Sequence, residues 1–306
     1  MTNTTLLLQV VLIPALAPLF VGVIRKMKAI MQNRHGASIV QPYRELRKLF
    51  TKEEIVSEDS SFIFLIAPFI VFAVTLVLGA MVPLFGLPAP LAGHGDLLTF
   101  ISLVALAAFF LALSGLDAGG AFGGMGSSRE MTIASMTEAG VLFSFLPVAF
   151  LAASADLSLM AERTGEFTGS GLVALLIALG GFFIALLAEN ARYPFDNPST
   201  HLELTMVHEA MILEYSGRRL ALMEWAAANK LFLFAIVGVQ LFIPWMPAWA
   251  ATAPLIALVA GLKIGLLAFA IAFVESTIAK LRYFRLPDLL LSSFMLGVIA
   301  LILAAF

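Results

Sequence analysis

Residues 62–85 read FIFLIAPFIVFAVTLVLGAMVPLF and contain no charged side chain. A helix that crosses a bilayer needs about 20 mostly apolar residues, because the hydrocarbon core is about 30 Å thick and each helical residue rises about 1.5 Å. This stretch is therefore predicted to be a transmembrane helix. Seven further apolar runs lie at 6–24, 97–115, 131–153, 171–188, 223–246, 253–274 and 289–306. Together they predict an all-α integral membrane protein with eight transmembrane helices.

The same apolar character extends over all 306 residues, which are predicted to form a single membrane domain (1–306). Hydrophobic residues make up 61% of the chain and charged residues 12%, and the mean hydropathy is +1.00. Soluble proteins are about one quarter charged, so a soluble globule is excluded, as is a disordered chain. No block of like charge is long enough to bind nucleic acid. The chain has no cysteine, so it cannot ligate an iron–sulfur cluster, and another subunit must carry any electrons.

The 18 lysine and arginine residues are distributed unevenly between the connections. Fifteen lie in the first, third, fifth and seventh connections, Arg163 alone lies in the others, and Lys230 and Lys263 fall inside predicted spans. Because positively charged loops stay on the cytoplasmic side, the odd-numbered connections are predicted to be cytoplasmic and both termini to lie on the outer, periplasmic side. The first span lacks a basic leader and a cleavage site, so it is interpreted as a retained helix.

Two of the cytoplasmic loops are long, loop one (25–61) and loop five (189–222). In loop one, Ile39, Tyr43 and Leu46 recur at helical spacing with basic residues between them. This spacing predicts a short amphipathic helix at the level of the lipid head groups. The alternative is a basic anchor that only fixes the orientation of the chain.

Loop five is rich in acids and is predicted to contain a second amphipathic helix. Ser199 or Thr200 can cap a helix from about 200 to 215 that ends at Gly217. Clustered carboxylates raise one another's pKa, so part of this group is predicted to exchange protons near neutral pH. The alternatives are a solvated acidic helix and a zinc site, but the spacing does not fit HExxH and no metal is predicted. The acids are Glu189, Asp196, Glu203, Glu209, Glu214 and Glu224.

Three charged residues, Glu138, Lys230 and Lys263, are predicted to lie deep in the membrane. A charge at the bilayer centre costs about 2.5–3.5 kcal/mol on insertion scales, so such residues normally face a protein interior or a wet cavity. Acids and bases at this depth can pair or titrate, which is the chemistry of a proton relay. Glu189 and Glu275, at the cytoplasmic ends of spans, either join this group or extend to the interface.

Loop five also carries RYPFD at 192–196 and EYSG at 214–217. This pattern resembles the subunit 1 family of respiratory complex I, and Arg34, Gly36 and Gln41–Pro42 of loop one agree with it. The resemblance covers essentially the whole chain. It implies a membrane subunit of an oxidoreductase complex that is not catalytic on its own.

The details are similar to one branch, the membrane anchor subunit of membrane-bound nickel–iron hydrogenases of the formate hydrogenlyase type (group 4). In the quinone-reducing branch, acids stand at the positions of Ser199 and Thr200, and residue 275 tends to be basic. The resemblance therefore implies a hydrogenase-type assembly and disfavours a bound quinone. The similar segments are SRE at 128–130, DNPSTHLELTMVHEAMILEYSG at 196–217 and FVESTIAKLRYFRLPD at 273–288.

By this resemblance, the chain lies in the cytoplasmic (inner) membrane of a bacterium or archaeon. It would dock hydrogenase-like large and small peripheral subunits, which carry iron–sulfur clusters and a nickel–iron centre, beside antiporter-like membrane subunits. No cofactor is expected in this chain itself. The alternatives are a quinone-site-forming subunit of an NADH:quinone oxidoreductase-like complex, a stand-alone transporter and a structural scaffold. The lack of an internal repeat argues against the transporter.

Two groups of site residues follow from this hypothesis. Acids and bases would pass a charge change from the peripheral arm to ion-translocating subunits, and they are Glu138, Glu189, Asp196, Glu203, Glu209, Glu214, Lys230 and Lys263. Other side chains would organise the cleft beneath that arm, and they are Arg34, Arg129, Arg192, His201, His208 and Tyr215.

Overall fold

A computed structural model describes residues 3–57, 60–84, 89–91, 93, 95–196, 207–245 and 252–306, with the backbone alone for 3–9 and 253. The helices of these residues are α1 (Asn3–Met31), α2 (Gln41–Thr51), α3 (Phe62–Met81), α4 (Leu97–Asp117), α5 (Ala121–Ala152), α6 (Leu157–Arg163), α7 (Ser170–Glu189), α8 (His208–Ile212), α9 (Gly217–Phe242), α10 (Ala253–Thr277) and α11 (Leu286–Ala305). Two 3-10 turns lie at Thr164–Glu166 and Tyr283–Arg285.

Eight of these helices are long and apolar enough to cross a membrane, which confirms the predicted number of spans. They are α1, α3, α4, α5, α7, α9, α10 and α11. Polar caps set where two of them begin. Ser61 Oγ accepts a hydrogen bond from Ile63 N in α3, and Asp96 Oδ1 accepts one from Thr99 N in α4. Such caps satisfy amide groups that the first turn of a helix leaves without partners.

Two spans begin earlier than the apolar runs predict. Helix α5 begins at Ala121 and not at 131, and α9 begins at Gly217 and not at 223. A Cβ atom at Gly123 would lie 2.3 Å from the carbonyl oxygen of Gly115 in α4, so this close approach of two helices requires glycine. Hydropathy misses these first turns because they are polar or glycine-rich and are covered by neighbouring helices instead of lipid.

Loop five departs most from its prediction. Of the expected helix from about 200 to 215, the described residues form only the short α8, and Gly217 begins α9 instead of ending a helix. The predicted capping residues 199 and 200 lie outside the described residues. The chain leaves the helix after α8 because Tyr215 is drawn into the bundle, where its ring stacks on an aromatic ring of α3 at 4.0 Å.

The connections meet at two ends of the bundle. At one end, which we call the loop end, Ile55 N in loop one donates to Ser216 Oγ in loop five at 2.8 Å. Leu281 N of the seventh connection donates to Pro194 O of loop five at 3.1 Å at the same end. At the opposite end, the second and fourth connections are joined by backbone hydrogen bonds. Helix α2 also lies at the loop end, packed on α1 and α9.

The long helices form two groups. The packed half consists of α5, α7 and α11, which meet at small residues. A Cβ atom at Gly181 would lie 2.9 Å from Ser293 O, and one at Gly297 would lie 2.6 Å from the backbone carbon of Phe143. The hollow half consists of α1, α3, α4 and α9, with α10 packed on α1 and α9. Buried rings join the two halves, at Phe100, Phe145, Phe182, Phe234 and Phe242.

Candidate functional site

A cavity of about 740 Å³, which we call the charged cavity, opens at the loop end inside the hollow half. Its deep part is apolar and includes Val21 of α1, Leu78 of α3 and Val104 of α4. Its outer part carries acids and bases in similar numbers. These charged lining residues are Arg25, Lys28, Arg34, Glu45, Lys48, Lys52, Glu189, Arg192, Asp196, Glu209, Glu224, Lys230 and Glu275.

One wall of the charged cavity contains an ion pair between α9 and α7. The Nζ atom of Lys230 lies 2.6 Å from Oε1 of Glu189, whose side chain is only 3% exposed. Removing one partner of a buried pair leaves an uncompensated charge, which typically costs about 3–5 kcal/mol. The predicted relay residues Lys230 and Glu189 therefore depend on each other for their charged states.

A second buried cluster is centred on Glu275, near the end of α10. Its two carboxylate oxygens lie 3.1 Å from Lys28 Nζ on α1 and 3.1 Å from Arg192 Nη1 after α7. The Glu275 side chain is 2% exposed, so it does not extend to the membrane interface, which was one of its two predicted placements. Three distant segments are thereby joined through one carboxylate.

Asp196 organises the start of α8. Its Oδ2 accepts hydrogen bonds from Val207 N at 3.3 Å and from His208 N at 3.1 Å, and its Oδ1 lies 2.5 Å from Lys280 Nζ. A carboxylate at the N-terminus of a helix satisfies amide groups that have no partner within the helix. The buried Asp196 thus connects loop five to the seventh connection at the floor of the cavity.

The titration behaviour of α8 differs between two neighbouring residues. Burial lowers the pKa of His208 to about 4, and the positive charge of Lys230 lowers it further, so this histidine is neutral at pH 7. Burial raises the pKa of Glu209 to about 7, with a further increase from the charges of Glu224 and Asp196. Of these two residues, Glu209 is the one that can exchange a proton near neutral pH.

Glu138 lies on the far side of the Lys230–Glu189 pair from the charged cavity. A small space of about 10 Å³ is lined by Glu138 and Glu189, together with Phe100 and Val104. Its volume is at the lower limit for one water molecule. Because Glu189 also lines the charged cavity, it lies between the cavity and Glu138.

Other predicted relay residues lie away from the charged cavity. Glu214 is exposed, and Lys263 donates a hydrogen bond of 2.7 Å to Ile243 O at the other end of α9. Neither residue lines the cavity. Glu203 and His201 lie outside the described residues.

The predicted cleft-organising residues take three kinds of position. Arg34, Arg192 and His208 line the charged cavity. Arg129 belongs to α5 and lies over the ring of Tyr283 at 5.7 Å. Tyr215 donates a hydrogen bond of 2.9 Å to a backbone oxygen of α3, so it fixes loop five to the bundle.

Several cavity residues were not among the predicted site residues. Glu275 had a sequence signal, since it is an isolated acid at the end of an apolar run. Glu224 was counted among the acids of loop five, and it lies on α9 and lines the cavity. Arg25 and Glu45 form an exposed ion pair of 2.9 Å at the opening, and no spacing rule connects these residues. In the part of the chain that the structure describes, no group of three His, Asp or Glu residues could hold a metal ion.

The fold and the charged cavity define a class of membrane protein. Residues 3–306 match the NADH dehydrogenase family, to which subunit 1 of complex I belongs, and the chain is a member of this family.

Two Escherichia coli K12 proteins are similar over nearly their whole length. The chain is 36% identical to Hydrogenase-4 component C, covering 96% of this chain and 93% of that protein. It is 32% identical to Formate hydrogenlyase subunit 4, covering 90% of each. A membrane subunit of the NADH-quinone oxidoreductase of Anaplasma marginale is 29% identical, over 87% of this chain and 81% of the relative.

The fold also matches a solved structure, that of the membrane-bound sulfane sulfur reductase, an archaeal respiratory membrane complex. The TM-score is 0.83 and the match covers 98% of both chains at 18% sequence identity. At this identity the comparison establishes the shared fold. These similarities confirm the resemblance drawn from loops one and five.

Proposed function

We propose that this chain is the membrane-embedded anchoring and coupling subunit of a hydrogenase-type oxidoreductase assembly. Loops one and five would dock peripheral subunits that carry iron–sulfur clusters and a nickel–iron centre. The loop end would face the cytoplasm of a bacterium or archaeon, with both termini on the outer side. The similarity to Hydrogenase-4 component C and Formate hydrogenlyase subunit 4 supports this type of assembly.

The observation that carries the proposal is the series of ionisable groups that leads from the loop end into the membrane. Glu209 lines the charged cavity, the Lys230–Glu189 pair forms part of its wall, and Glu138 lies beyond that pair. These groups lie on four different elements, so the fold has brought them together. Buried charges are costly in a membrane, and their alignment favours a functional role over a structural one.

The coupling step follows from electrostatics at low dielectric. An electron that arrives near the opening adds negative charge, which favours protonation of Glu209. Inside a protein, such a change shifts neighbouring pKa values far more than it would in water. Glu189 would then share Lys230 differently with its neighbours, and Glu138 would pass the change sideways to membrane subunits that move protons or sodium ions.

Substitution of the two deep carboxylates tests the proposal in the assembled complex in liposomes. We expect Glu189→Gln and Glu138→Gln to keep electron transfer while the number of ions moved per electron falls severalfold. Glu162→Gln is the matched control, because Glu162 is exposed at the opposite end. An unchanged ratio in an intact complex would contradict the relay. Loss of assembly with an unchanged ratio in the surviving complex would identify a scaffold.

A second candidate function is supported by the shape of the cavity. Its apolar deep part could accept the ring or tail of a quinone, and a subunit of an NADH-quinone oxidoreductase is among the relatives. Under this alternative, the chain would form the quinone site of its complex. Electron transfer that requires added quinone and is blocked by quinone-site inhibitors would select it. Full activity in quinone-free liposomes would exclude it.

A further inference from the structure

The opening of the charged cavity carries cations that the coupling proposal does not use. Arg34, Lys48 and Lys52 line the cavity, and all three are exposed. In the part of the chain that the structure describes, none of them has a carboxylate within ion-pair distance. The remaining cations of the lining each face an acid, in the pairs Arg25–Glu45, Lys28–Glu275, Arg192–Glu275 and Lys230–Glu189.

The opposite end of the cavity is deep and apolar. It reaches Val104, and the rise of α4 from Asp117 at the loop end to this residue corresponds to a depth of about 20 Å. One leaflet of a bilayer contributes about 15 Å of hydrocarbon, half of the whole core. The cavity is therefore long enough to hold a lipid hydrocarbon chain from the head-group level to the middle of the membrane.

The polar groups in the deep part are already satisfied by the protein. Thr75 donates a hydrogen bond to Phe72 O at 2.7 Å and accepts one from Asn229 Nδ2 at 3.1 Å. Lys230 is paired with Glu189. A ligand that enters with its polar end first would find no free partner among these groups, whereas a hydrocarbon chain needs none.

The two ends of the cavity together define the ligand. Exposed cations without acid partners suit an anionic phosphate, because charge-assisted hydrogen bonds to phosphate are strong. A neutral polar head would leave those cations unused. The ligand class that satisfies both ends is an amphiphile with an anionic phosphate head and a long apolar chain.

We propose that the charged cavity binds one anionic phospholipid, with its phosphate at Arg34, Lys48 and Lys52 and a hydrocarbon chain between α1, α3, α4 and α9. The chain excludes water from the Lys230–Glu189 pair and so keeps it at low dielectric, where its interaction with other charges is strongest. The inference does not depend on the coupling role, since a scaffold with the same cavity would bind the same lipid.

Lipid competition tests the proposal without any substitution. The assembled complex is placed in nanodiscs of equimolar phosphatidylglycerol and phosphatidylcholine and re-extracted in mild detergent, and the lipid retained per chain is counted by native mass spectrometry. We expect one phosphatidylglycerol per chain, favoured at least about tenfold over phosphatidylcholine by the charge-assisted bonds. Equal retention of the two lipids, no retained lipid, or a quinone in its place would overturn the proposal.

Paired variants of α2 and the residue after it locate the head group. Lys48→Gln/Lys52→Gln removes two lining cations, and the control Arg44→Gln/Arg47→Gln removes two exposed cations that do not line the cavity. We expect the first pair to lose the lipid at least about tenfold more than the control. Equal losses would overturn the head-group assignment.

A further variant locates the hydrocarbon chain and leaves every cation in place. Ala108 of α4 lines the apolar part of the cavity. Ala108→Leu should narrow this part and release the phosphatidylglycerol in the same assay. Retention of one lipid per chain in this variant would place the chain elsewhere and overturn the proposal.

Discussion

The packed half and the hollow half are built from helices of similar apolar character, yet they are held together differently. In the packed half, α5, α7 and α11 touch at glycine and serine residues, and Ser293 Oγ donates to Gly181 O at 2.7 Å. In the hollow half, α1, α3, α4 and α9 stand apart around the charged cavity. Ion pairs bridge its segments, and the pairs of Glu275 and Glu189 are the most buried.

The difference separates two uses of the same apolar composition. Close packing without charge leaves no room for ligands or water and stabilises the bundle through van der Waals contact. An open space with paired charges is less stable than a filled one, because each pair must overcome the cost of desolvation. Its presence in a family-wide fold is therefore explained better by function than by stability.

The largest expected effect comes from breaking the charge cluster that joins the hollow half to α10. In Glu275→Gln, Lys28 and Arg192 lose their shared acid, so we expect the complex to be destabilised by about 3–5 kcal/mol. Denaturant unfolding of the solubilised complex measures this. Glu166→Gln, which changes an exposed acid at the opposite end, is the control. Equal stability of the two variants would show that the cluster does not hold the hollow half together.

A smaller effect is expected from a single methyl group in the packed half. Gly181 and Gly180 are neighbours on α7, but a Cβ at Gly181 would lie 2.9 Å from Ser293 O, whereas the nearest atom to one at Gly180 is 3.8 Å away. Overpacking should make Gly181→Ala less stable by about 1–3 kcal/mol, while Gly180→Ala stays neutral or gains slightly through helix propensity. Thermal unfolding of both variants decides the matter, and equal midpoints would refute the close contact.

The sequence predicted the eight spans because each apolar run is long enough to cross the membrane by itself. It placed the starts of α5 and α9 too late, since AFGGMGSSRE and GRRLALM are not apolar enough to signal a helix. These turns are helical because of contacts with other elements, such as that of Gly126 with Val207 of loop five. Contacts between distant segments leave no local pattern, so the apolar periodicity could not reveal them.

The site was predictable to the extent that charge in an apolar context is informative. Glu189, Asp196, Arg192 and Lys230 were singled out from the sequence and line the charged cavity, while their relay role stays a prediction. The partners of these charges were not predictable. Glu275 and Lys28, for example, are 247 positions apart, and only the fold brings them together.

A pH-dependent effect should distinguish the opening of the cavity from the packed half. The pKa of Glu209 is raised from 4.5 to about 7, so between these values the folded chain holds more protons than the unfolded chain and its stability falls as pH rises. Allowing for partial exposure, we expect the loss to be about 1–2 kcal/mol, and Glu209→Gln should remove it. Unfolding midpoints from pH 4.5 to 8 measure the difference between variant and wild type. The exposed Glu214→Gln should keep the wild-type slope, and a wild-type slope in Glu209→Gln would contradict the assignment.

The smallest effect is expected at the rim of the hollow half, where the Arg25–Glu45 pair resembles the buried pairs in distance but not in environment. Its atoms are 2.9 Å apart, and the side chains are 48% and 46% exposed. Water and salt screen such a pair, so Glu45→Gln should change stability by about 0–1 kcal/mol, and this small change should vanish at high salt. Glu275→Gln should lose much less of its effect, because salt does not reach a carboxylate that is 2% exposed. Salt-dependent unfolding of the two variants thus separates burial from distance as the source of stability. A large, salt-resistant cost at Glu45 would mean that the opening is as dry as the interior.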